Sequence, residues 1–153
     1  MFVGRLRRRA GRKQLQQPNF VPSVGSGGMT ERLGVSLAVA DMLVQAPTAS
    51  YILLFPSWDL SQDASFRDIL VKGAVEVSAS WSAARQAVHA VSVVARKEHR
   101  GAVVLRAARG MAAGTHVACA DGSAPEVRVS SGGRGGAELA FIAPPGVRCH
   151  LHH

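Results

Sequence analysis

The stretch GAVEVSASWSAARQAVHAV (73–91) decides how the middle of this chain is read. Val77, Trp81, Ala84, Val88 and Val91 recur at spacings of 4, 3, 4 and 3, the step that gathers side chains on one face of a helix. Glu76, Ser80 and Gln86 take the other side. The reading is an amphipathic helix opened by Gly73. Upstream, Thr30 is placed to cap a second such helix, with Glu31 in its first turn and Leu33, Leu37, Ala40 and Val44 as its apolar face. Pro47 ends it. Between the two helices lie two short apolar runs, SYILLF (50–55) and DILVK (68–72), separated by a polar loop. The order helix–strand–strand–helix predicts an α/β fold: a small sheet with two amphipathic helices on one face.

Three zones follow. Residues 1–28 read as a flexible, disordered basic arm ending in the hinge-like GSGG, residues 29–98 as the α/β domain, and residues 99–153 as an irregular or weakly β region. In that last zone GAVVLRAARG (101–110) suits a strand or a helix. The pair Asp121-Gly122 suggests a hairpin turn between HVACA (116–120) and PEVRV (125–129), and ELAFIAPP (138–145) suggests a last strand.

Charge separates the zones more sharply than composition does. The net charge of +8 splits into +6 for residues 1–28, from Arg5, Arg7, Arg8, Arg9, Arg12 and Lys13 with no acid, −1 for residues 29–98 and +3 for residues 99–153. Basicity is thus a property of the ends. Six cations within nine positions suit phosphate neutralisation, with affinity that falls as salt rises. The absence of nearby aromatics argues against base stacking. No stretch approaches the roughly 18 apolar residues of a membrane-spanning helix, so no membrane partner is expected. The basic start is not followed by an apolar signal-peptide core, while an Arg-rich, acid-free start is compatible with organellar targeting.

No catalytic constellation can be assembled from the residues, and no enzyme is expected. His89 and His99 lack a triad pattern, and no phosphate-binding glycine loop or nucleophile elbow is present. Cys119 and Cys149 read as free thiols in a reducing cytosol. The tail Cys149-His150-Leu151-His152-His153 carries metal-ligand chemistry, but a terminal tail is a poor cage because every ligand must be ordered on binding. Neither metal nor cofactor is expected.

The middle zone resembles the shell proteins of bacterial microcompartments. The matching residues are GVSLAVADMLVQAP (34–47), SYILLF, DILVKG and GAVEVSASWSAARQAV (73–88), about 65 residues in all. The resemblance implies a cytoplasmic shell subunit, a trimeric or hexameric disc that tiles with other shell subunits and passes metabolites through a pore. Ser57, Trp58, Asp59, Ser61, Gln62 and Asp63 would then line the pore, and Gln45 would stand where the family carries its edge lysine. The sequence departs from the family at Ala74, where an acid is usual, and in lacking a Gly-Ser-Gly pore loop. The plainer reading of 57–63 is a solvated surface loop. The alternative function is a basic, organellar or ribosome-associated protein that contacts RNA through Arg5, Arg7, Arg8, Arg9, Arg12 and Lys13.

Overall fold

In the computed structural model, residues 29–107, 111, 114–132 and 136–152 are described. Helix α1 (Met29–Leu43) is followed by ten strands: β1 (Val44–Gln45), β2 (Tyr51–Leu54), β3 (Ala64–Val71), β4 (Val75–Ser82), β5 (Ala87–Ala95), β6 (Val103–Ala107), β7 (His116–Cys119), β8 (Arg128–Gly132), β9 (Gly136–Phe141) and β10 (Arg148–His152). Contacts divide the chain between Ala40 and Asp41, so α1 lies mostly in one unit and every described strand in the other.

The strands form two five-stranded sheets, sheet I in the order β1-β2-β6-β9-β8 and sheet II in the order β3-β4-β5-β10-β7. Their inner faces share one apolar core. Ile52, Leu54, Leu105, Leu139 and Phe141 enter it from sheet I, and Val75, Val77, Trp81, Val88 and Val93 from sheet II. Phe55, just beyond β2, bridges the layers, its ring 5.5 Å from Phe66 and 6.4 Å from Trp81. All described pairings are antiparallel except β2 with β6, which run parallel.

This architecture corrects the α/β expectation. Residues 73–91 are not a helix but the end of a β-turn, all of β4 and the start of β5. Along β4, Val75, Val77, Ala79 and Trp81 are buried while Glu76, Ser78, Ser80 and Ser82 face partly outward. That is the period of two of a half-buried strand. The β-branched valines suit it, since they pack well on a pleated surface and lose rotamer freedom in a helix. The apparent helical period arose because the four-residue turn Ala83–Gln86 shifts the phase between two strands. Nor are there two amphipathic helices on a sheet. In α1 the apolar residues do not gather on one side, and Val35 and Leu37 are exposed. The helix stops at Leu43, before the expected end at Pro47, and Val44 is already a buried strand residue.

The region from 99 onward is not poorly defined: it supplies β6 to β10, and so half of the strands. The expected hairpin between HVACA and PEVRV does not form, because β7 and β8 belong to different sheets. Asp121 and Gly122 do turn the chain, with the Gly122 N–H donating to the Cys119 carbonyl and the Asp121 carboxylate accepting from Ser123.

Cys119 and Cys149 are not free thiols. They sit directly opposite each other on β7 and β10, both buried, and are joined as a disulfide. The bond pins strand β7, at the edge of sheet II, to β10, its neighbour among the described strands.

Two irregularities shape sheet II around β4. The register shifts between Phe66 and Ile69 on β3, where Asp68 adopts φ 51°, and again opposite Ala90 on β5, at φ 50°. Such bulges increase the local twist and re-aim side chains. Ser78 accepts the Asp68 N–H at 2.9 Å and so satisfies a donor that the first bulge frees from the ladder.

Candidate functional site

The loop 57–63 is tied down by its own hydrogen bonds. Asp59 Oδ1 accepts from the Ser61 N–H at 3.0 Å and from the Ser61 hydroxyl at 2.8 Å. These bonds, the backbone one first, hold the Asp59 carboxyl below the ordinary carboxylate range. Trp58 Nε1 donates to the Gln62 carbonyl at 2.9 Å. The loop is also anchored to the β4–β5 hairpin. Trp81 Nε1 and Gln86 Nε2 both donate to the Leu60 carbonyl, and the Ala83 N–H donates to Asp63 Oδ1 at 2.7 Å. Ser57 is exposed at the start of the loop.

Of the six residues expected around a pore, Asp63 alone lines the polar cleft that the structure forms here. Its other walls are Ser65 on β3, Ser80 and Ser82 on β4, Arg85 in the β4–β5 turn and His89 on β5, with Trp81 and Ala64 beneath. The cleft has a volume of about 620 Å³. Sequence reasoning missed five of these six polar walls: Ser80, Ser82, Arg85 and His89 were distributed over a helix that does not exist, and Ser65 was read as part of a loop rather than of β3. Their signal was the alternation Ser78, Ser80, Ser82, which marks the outward face of a strand.

His89 and His99, unassigned from sequence, have different roles. His99 is buried and its Nδ1 lies 2.8 Å from the Gly73 carbonyl, so it braces the β3–β4 turn. His89 borders the cleft, and its Nδ1 is buried without a hydrogen-bond partner among the described residues.

Gln45 lies on the two-residue edge strand β1, and its side chain donates to the Asp41 carbonyl at 3.0 Å. Arg5, Arg7, Arg8, Arg9, Arg12 and Lys13 lie outside the described residues, as does His153. The metal-like tail is a strand. Cys149 points into the core within its disulfide, while His150 and His152 face outward from the opposite side of β10. The His152 ring stacks on His116 of β7 at 5.3 Å. Among the described residues no group of three His, Cys, Asp or Glu side chains is arranged to hold a metal ion.

On the outer face of sheet I the Tyr51 hydroxyl donates to Glu138 Oε1 at 2.6 Å, and Arg106 reaches both groups. The bond with Tyr51, more than the nearby carboxylate, raises the Arg106 pKa above its ordinary value. The trio joins β2, β6 and β9 and borders no described cleft. No helix among the described residues is long and apolar enough to cross a membrane.

No protein-family model matches the chain, and no curated protein matches it.

Proposed function

We infer that this chain is a structural, non-enzymatic protein that associates with RNA through its basic arm. The observation that carries the reading is the segregation of charge. Residues 1–28 hold six cations and no acid, whereas residues 41–153 hold eleven basic and nine acidic side chains, a net of only +2. Several charges of the sandwich are already matched: Arg96 with Glu76 at 2.5 Å, Arg148 with Asp68 at 2.9 Å and Arg106 with Glu138 at 3.5 Å. The arm is the one zone whose cations have no acid among them, and counterion release gives such a cluster its affinity for phosphate backbones. The disulfide suits folding or residence in oxidising surroundings rather than a reducing cytosol. The sandwich adds nothing to the microcompartment-shell expectation, whose second helix is β4 and β5.

The test is fluorescence anisotropy of the full chain with a labelled single-stranded RNA across a salt series. With up to six phosphates neutralised, log K is expected to fall with log salt at a slope of about −4, since each contact contributes about −0.7 on single strands. Replacing Arg7, Arg8 and Arg9 by Gln should flatten that slope by about 2. Binding that ignores salt, or that survives the triple substitution unchanged, sinks the reading.

A further inference from the structure

Ser65, Ser80 and His89 sit side by side across three strands, Ser65 opposite Ser80 and Ser80 opposite His89. The β4–β5 turn hangs Arg85 over one end of this row, and Asp63 enters from the end of the 57–63 loop. The Arg85 side chain has no ion pair or hydrogen bond among the described residues, and neither have the hydroxyls of Ser65 and Ser80. The cleft, which is open to solvent, therefore presents a guanidinium fork and two hydroxyls that have no partner among the described residues. A guanidinium with neighbouring hydroxyl donors is the donor set that tetrahedral oxyanions accept from.

A lone oxyanion does not account for the rest. Asp63 contributes a carboxylate whose Oδ1 is taken by the Ala83 N–H and whose second oxygen has no partner among the described residues. A carboxylate disfavours a bare anion beside it but accepts hydrogen bonds from hydroxyl groups. The cleft is open on one side, and its volume of about 620 Å³ leaves room for a ligand larger than a bare oxyanion. Trp81 is only 2% exposed, its side chain part of the core, so it offers no face for an aromatic base. His89 fits the same pattern. A buried nitrogen without a partner is less costly as a bare lone pair than as a stranded N–H, which puts the ring proton on Nε2 as one more donor.

We propose that this cleft binds a sugar phosphate. Arg85, with the hydroxyls of Ser65 and Ser80, takes the phosphate oxygens, and the free oxygen of Asp63 accepts from the sugar hydroxyls. The proposal uses no residue of the basic arm and stands or falls independently of it. Its ligand is either a free sugar phosphate or the ribose-phosphate unit of a polynucleotide.

The experiment is an amide-shift NMR titration of the full-length, disulfide-intact chain with ribose 5-phosphate, inorganic phosphate and ribose in turn. Saturable shifts at Ser65, Ser80, Ser82 and His89 with ribose 5-phosphate are expected. Inorganic phosphate should bind more weakly, and D63N should weaken ribose 5-phosphate while leaving inorganic phosphate unharmed. Arg85 is exposed and unbonded, so R85A should keep the fold and lower affinity for both by about tenfold or more. A chain with Arg7, Arg8 and Arg9 replaced by Gln should titrate like the parent. Absence of saturable shifts in the cleft overturns the proposal, as does their loss in the arm variant. Equal affinity for inorganic phosphate, with D63N silent, overturns the assignment to a sugar phosphate. A short oligoribonucleotide added to the arm variant separates the two sources: shifts of the same amides identify a polynucleotide, and their absence a free sugar phosphate.

Discussion

Arg148 and Asp68 meet guanidinium to carboxylate at 2.9 Å on the outer face of sheet II, although β4 and β5 run between their strands. The other guanidinium nitrogen donates to the Ser92 hydroxyl at 3.1 Å, and Ser78 donates to the Asp68 carboxylate at 3.3 Å. One arginine thus laces three strands together over a bulge. The hydrogen bond from Arg148 is the main reason that the Asp68 carboxyl titrates below its ordinary value of 3.8. Because the folded pKa is depressed, any stabilisation is present above the ordinary carboxylate range and is lost as pH falls through the folded pKa. A carboxyl-detected NMR titration should therefore place the Asp68 midpoint below 3.8 and show it rising in R148A. A midpoint indifferent to that substitution would remove Arg148 as the cause.

The disulfide closes a loop between positions 30 residues apart. By loop-closure entropy, such a link stabilises by about 3–4 kcal/mol. The double variant C119A/C149A should lose about 2–4 kcal/mol in urea denaturation, and the reduced parent chain a similar amount. An unchanged urea midpoint on reduction would show that β7 is held without the bond.

Trp81 and Trp58 provide a paired comparison. Trp81 is buried to 2% exposure and anchors the 57–63 loop through Leu60, so W81A should cost about 3–5 kcal/mol. Trp58 is partly exposed, packs against the margin of the core and is hydrogen-bonded within its own loop, so W58A should cost less, about 1–2 kcal/mol. Equal losses, measured by denaturant unfolding, would contradict the placement of these two indoles.

Gly73 stands in the β3–β4 turn at φ 90°, where a Cβ would collide with the Ala49 carbonyl. Gly122 has a similar φ of 84° but open space around it. G73A should destabilise by more than about 2 kcal/mol, and G122A by about 1 kcal/mol from the left-handed backbone alone. Thermal unfolding of the two variants checks the order, and a costlier G122A would contradict it.

The runs SYILLF and DILVK were legible as strands because each is short, apolar and β-leaning, and they overlap β2 and β3 with the boundaries off by one to four residues. The helix 73–91 was not, for a physical reason. The buried set Val75, Val77, Ala79 and Trp81 repeats every two residues, but Val77, Trp81, Val88 and Val91 also satisfy a helical step once the turn 83–86 is read through. A turn made of Ala, Ala, Arg and Gln carries no glycine or proline to announce itself. The bulge at Ala90 then breaks the alternation in β5, hiding the second strand as well. The cleft was lost with the helix. Its residues come together only through the register of three strands, which no local window contains. The disulfide was equally hidden, since pairing Cys119 with Cys149 depends on β7 and β10 being neighbours.

The position of β10 between β5 and β7 has a consequence for how the molecule is made. A chain emerging from the ribosome in order presents β5 with a bare flank until residues 148–152 arrive, and β7 has no partner in its sheet before then. Sheet I waits in the same way, since β6 must find β2 some fifty residues upstream and then wait for β9. Such distant pairings make folding slow and leave unpaired backbone open to other chains. Sheet II is therefore complete only once β10 has emerged, and a nascent chain stalled short of β10 is the form most exposed to aggregation.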